Sequence, residues 1–88
     1  MPEVLELHEV ILELSSGTRV VVGHDLPDRG AASAVANRWI AIAREGIGLH
    51  ESRSGSGVVV RASSIVAVKA QLQPARNWLR GPRDGNWL

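Results

Sequence analysis

The sequence predicts a small α+β domain. An antiparallel sheet of about five short strands, in the order β-β-α-β-β-β, carries one amphipathic helix and leads into an extended, Trp-containing C-terminal arm. Three observations predict it. Runs rich in β-branched residues alternate with Ser- and Gly-containing turns, one Ala-rich stretch between them has helical spacing, and the composition changes after Pro74. Residues 1–73 read as a single domain and residues 74–88 as the arm.

The first two strands flank Ser15-Ser16-Gly17, where Gly17 supplies a positive φ for a hairpin turn. Alternation places Val10, Leu12 and Leu14 on one face, with Glu9 and Glu13 on the other. Leu5 and Leu7 have the opposite parity, which calls for a bulge near His8-Glu9 or a separate short element at residues 4–7. Val4, Leu7, Ile11 and Leu14 also fit helical spacing, so a helix over residues 4–14 is the competing reading.

The stretch from Gly23 to Gly30 is a loop with helix-start chemistry. Asp25 or Asp28 can cap, and Pro27 suits a first turn. Residues 31–45 form the helix, with Val35, Trp39 and Ile42 as its apolar stripe, Ala32 and Ala43 beside them, and Gly46 as its stop. Strands follow at residues 47–51 and 58–61, joined by a flexible Ser/Gly tip, then a corner at Ala62-Ser63-Ser64 and a last strand over 65–72. Residues 20–22 and 58–60 are apolar on both faces. One helix cannot cover a sheet twice, so a curled sheet or another subunit is expected to supply the second cover.

Eighty-eight residues allow one domain with a small core. The absence of cysteine excludes disulfides, thiolate metal sites and a cysteine nucleophile, and suits a reducing compartment. Met1-Pro2-Glu3 begins no signal peptide and no apolar run is long enough to span a bilayer, so a cytoplasmic location, or one within a phage particle, is expected. Net charge is +1, too small to imply a polyanionic partner. The charges are segregated, however: Glu3, Glu6, Glu9 and Glu13 precede any base, and Arg76, Arg80 and Arg83 dominate the tail, a polarity that favours contact between copies.

Motifs for chemistry are scarce. No phosphate-binding Gly-rich signature occurs, and Gly55-Ser56-Gly57 reads as a hairpin tip. His8, His24 and His50 lie at irregular spacing on different elements, and His24-Asp25 lacks the further ligands a metal site needs. No strained turn presents a serine to a base. Neither an enzyme, a cofactor nor a metal is therefore expected. Nucleic-acid binding is disfavoured by the lack of Phe and Tyr and by a helix with only Arg38 and Arg44 as bases.

The arm is the most distinctive segment. Asn-Trp-Leu occurs twice, at 77–79 and 86–88. Burying one Trp is worth about 4–6 kcal/mol, and the gain over the segment is of the order of its ordering entropy. Such an arm orders when it has a groove to fill. Arg76, Trp78, Leu79, Arg80, Trp87 and Leu88 are the candidate partner-binding residues.

Over residues 47–68, the apolar pattern followed by Val-Val-Val-Arg-x-Ser-x-Ile-Val-Ala-Val resembles many small actinobacterial and phage proteins. The resemblance is strand–turn–strand chemistry and implies no activity and no site residues. The sequence thus points to a non-enzymatic interaction or assembly module, a homo-oligomer whose arm docks on a neighbouring subunit or another protein. A phage or actinobacterial accessory protein fits this description. A binder of a small anionic ligand such as a nucleotide is the alternative, and a nucleic-acid-binding protein the third.

Overall fold

The computed structural model describes residues 6–52 and 58–74. Its elements follow the expected order: β1 (His8–Leu14), β2 (Arg19–Leu26), α1 (Arg29–Glu45), β3 (Leu49–Glu51), β4 (Val59–Arg61), a 3₁₀ turn (Ala62–Ser64) and β5 (Ile65–Leu72). The strands do not make one sheet. They divide into a three-stranded antiparallel sheet, β2-β1-β5, and a separate β3-β4 pair. The 3₁₀ turn is the physical reason, since it breaks the extended backbone between β4 and β5 and releases β5 to pair with β1.

β1 is a strand, which removes the helical reading for residues 8–14. Its alternation does what the pattern asks. Val10 and Leu12 are completely buried and Leu14 partly so, while Glu9, Ile11 and Glu13 face the other way. The hairpin closes where Gly17 adopts φ 91°, with the Leu14 N–H donating to the Thr18 carbonyl at 2.9 Å. No bulge occurs at His8-Glu9: β1 pairs with β5 from His8 to Glu13 without a slip, and the Gln73 N–H to Leu7 carbonyl bond continues that register. The β1–β2 register slips between the His8 and Val10 pairings and again before Ile11, so the extra residues belong to β2. Asp25, with φ 56°, absorbs part of that slip.

Asp28 caps the helix, its carboxylate accepting from the Ala31 N–H at 2.8 Å, and Pro27 stands before the cap rather than in the first turn. Gly46 ends the helix at φ 66°, its N–H donating to the Ile42 carbonyl. Gly23 admits the helix closely, because a Cβ there would meet Val35 Cγ1 at 3.1 Å. The strand expected from residue 47 starts at Leu49, because Gly48 takes a positive φ and leaves Ile47 outside the ladder, 73% exposed.

One core joins these parts. Ala32, Ala36 and Trp39 of α1 pack with Val10, Leu12, Val22 and Val60, and Leu14, Val20, Val35, Ile42, Ile65 and Val68 flank them. The helix therefore covers one face of the three-stranded sheet, and Val60 ties the β3-β4 pair to the same cluster. Among the described residues no helix is long and apolar enough to cross a membrane.

Candidate functional site

The candidate partner-binding residues Arg76, Trp78, Leu79, Arg80, Trp87 and Leu88 lie outside the described residues, as does the tip at Gly55-Ser56-Gly57. What the fold does place, beside β5, is an open apolar groove. Between α1 and β5 runs an open groove of about 260 Å³, lined by Ile40, Ala43 and Arg44 of the helix and by Ile65, Val66, Ala67 and Val68 of the strand. Its size falls below the roughly 300–1,000 Å³ usual for small-molecule pockets. Its lining is apolar apart from Arg44, which suits one or two bulky apolar side chains better than a nucleotide.

β5 makes the groove's wall and, among the described residues, is an edge strand, with β1 on one side and an open edge on the other. Its helix-facing positions are Val68, Ala70 and Leu72, opposite Leu12, Val10 and His8 of β1. The helix packs over Val68 but leaves Ala70 exposed and Leu72 51% exposed. Val66, the residue bulged out between the Glu13 and Leu14 pairings, is 64% exposed at the groove. The second cover expected for doubly apolar strands is thus lacking within the described residues at Val21 of β2 and Val59 of β4, both exposed. Leu49 of β3 is exposed as well.

The polar residues on the outer face of the three-stranded sheet, around Ile11 and Val21, are paired with one another. Glu13 accepts from Lys69 Nζ at 3.0 Å and from Arg19 at 3.3 Å. Gln71 Nε2 donates to Glu9 Oε2 at 2.8 Å. The hydrogen bond and charge of Lys69 hold the Glu13 carboxyl below its ordinary pKa of 4.5 against the opposing effect of desolvation, and Arg19 adds smaller contributions in the same downward direction. The unfolded chain loses these partners, so the folded state binds fewer protons in the acid range. The resulting stability is present in full above pH 4.5 and disappears as pH falls through the depressed folded value. Glu13→Gln should therefore narrow the gap to the parent protein steadily on acidification, most of the change falling below pH 4.5 in urea melts at low salt.

The three histidines are not brought together. His8 ends β1, and His24 on β2 contacts Asp25 at 3.4 Å with both side chains about half exposed. His50 on β3 donates from Nε2 to the Ile47 carbonyl at 2.9 Å and sets its ring edgewise to Trp39, with centroids 6.5 Å apart. Among the described residues no group of three His, Asp or Glu converges as a metal would require. Asp25 is instead engaged by Gln73: the Asp25 N–H donates to Gln73 Oε1, and Gln73 Nε2 donates to Asp25 Oδ1 at 3.1 Å. This contact fastens the end of β5 across β1 to the bulged stretch of β2. Sequence reasoning missed it, because residues 48 positions apart carry no local signal.

Compared with protein-family models, with curated proteins and with solved structures, this chain finds no match. The reading of function therefore rests on its own surfaces.

Proposed function

We propose that this chain is a non-enzymatic assembly module that associates with copies of itself, its C-terminal segment docking on a neighbouring subunit. The observation that carries the reading is the coincidence of an open strand edge, exposed apolar side chains at Val66 and Leu72, and an apolar groove alongside them. Exposed apolar surface of this kind next to an unpaired edge is a signature of protein–protein contact. The segment after residue 74 supplies complementary chemistry in its two Trp-Leu pairs.

Light scattering on a sizing column tests the reading. The full chain is expected to elute above its single-chain mass of 9.5 kDa, and the full-length Trp78→Ala/Trp87→Ala variant to shift toward that mass. A parent chain that is monomeric at every concentration would rule out self-association. An oligomer indifferent to both substitutions would remove the arm from it.

A further inference from the structure

We propose that the open edge of β5 pairs antiparallel with β5 of a second copy, centred on Ala70, joining two three-stranded sheets into one of six strands with both helices on the same face. The proposal rests on the self-association reading and gives it a surface and a register.

The two edges of the sheet are unlike. The β2 edge is broken, since its register with β1 slips twice between Leu26 and Val21 and Asp25 sits at positive φ. Such bulges blunt an edge against pairing. β5 opposes β1 from Ala67 to Leu72 without a slip. Its edge is regular, six residues long, free of proline, and carries one charge.

Hydrogen-bond parity then identifies which backbone groups face outward. The Gln73 N–H donates to the Leu7 carbonyl, whereas the Leu14 N–H donates to the Thr18 carbonyl. Odd-numbered residues of β1 thus bond to β5 and even-numbered ones to β2. In an antiparallel ladder a strand's residues alternate between its two sides. Ala67, Lys69 and Gln71 therefore spend their groups on β1, and Val68, Ala70 and Leu72 direct theirs to the open edge. These are the same three residues whose apolar side chains lie on the helix-facing side, two of them uncovered by α1. Unpaired backbone and uncovered side chains coincide.

Few registers are available. Facing residues in a continuous sheet must point to the same face, so the two-fold axis passes midway between a residue and its own counterpart. Centring on Lys69 would set two ammonium groups directly opposite, which is unfavourable. Centring on Gln71 would place Val68 against Pro74, which has no N–H to give. Centring on Ala70 pairs Ala70 with its counterpart and Val68 with Leu72 on either side, about six backbone hydrogen bonds at two per facing pair. Lys69 then meets Gln71. Leu72, exposed in one chain, is sheltered beside the second copy's Val68 and the end of its helix.

The register has a further consequence. Val66 faces Pro74 of the second copy, at the point where the β5 bulge ends regular pairing.

The test uses the full chain, whose lack of cysteine makes any introduced disulfide diagnostic. Facing residues in a hydrogen-bonded pair lie about 5.5 Å apart at Cα, inside the roughly 4.4–6.8 Å a disulfide spans. Oxidised Ala70→Cys should become a covalent dimer that keeps the parent circular dichroism, while Val21→Cys on the β2 edge should stay uncrosslinked. Ala70→Pro removes one outward N–H without touching the β1 ladder, and should be a folded monomer where the parent is a dimer. A parent oligomer with Ala70→Cys uncrosslinked, or with Ala70→Pro still dimeric, would overturn the edge pairing and leave self-association standing. A parent that is monomeric at all concentrations, with no crosslink, would overturn both.

Discussion

Trp39→Ala should cost about 3–5 kcal/mol, the range for emptying a buried aromatic site. An 88-residue domain has roughly 4–13 kcal/mol in total at the usual stability per residue, so this variant should lose its cooperative urea transition or shift it far to lower denaturant. Trp39 is wholly buried on α1's inner stripe, one turn beyond Ala36, and it shares the core with Val60 and sets its ring against His50 of the separate β3-β4 pair. Trp39→Phe should lose less than half as much. It keeps a ring in the site, and it removes an indole N–H that has no hydrogen-bond partner among the described residues. Burying such an unpaired donor costs about 1–3 kcal/mol, a penalty the Phe variant no longer carries. A Trp39→Ala protein as stable as its parent would mean that this cluster is not the core.

The importance of Trp39 was readable from spacing, because Val35, Trp39 and Ile42 recur at helical intervals within an Ala-rich stretch and Gly46 closes it. Ala36, also buried, carries no such mark, because alanine is a good helix former on any face and gives no directional signal. The β1 alternation was legible for the same reason as the helix, a strict period over seven residues. What the local pattern could not reveal was partnership. Nothing near Ile65 says that β5 pairs with β1, nearly sixty residues away, rather than with its neighbour β4. The parity conflict between Leu7 and Val10 points to a bulge near His8-Glu9, yet β1 runs against β5 from His8 to Glu13 without a slip, and the slips in the β1–β2 register, which no pattern within β1 signals, put their extra residues in β2. The groove escaped too, being made of residues 40–44 and 65–68 that are each unremarkable alone.

Leu12→Ala and Ile11→Ala together should separate the two readings of the first segment. Leu12 is fully buried on the central strand, opposite Val20 and Val68, and its truncation should cost about 2–5 kcal/mol. Ile11 stands one residue away on the polar face, between Val21 and Lys69, only partly buried, and its truncation should cost well under half as much. A helix over residues 4–14 would reverse the order, since Ile11 lies on its apolar stripe and Leu12 off it. A one-residue slip of β1 would reverse it as well, by exchanging the two faces. Both costs can be read from urea melts at equal slope. The comparison reaches beyond stability, because the parity that buries Leu12 is the parity that turns Val68, Ala70 and Leu72 to the open edge of β5. If the edge pairs between copies, the parent's midpoint should rise with protein concentration, and the Leu12→Ala variant should follow the same dependence from a lower starting point. A reversed order of costs would therefore unseat the outward row of β5 together with the strand assignment that implies it.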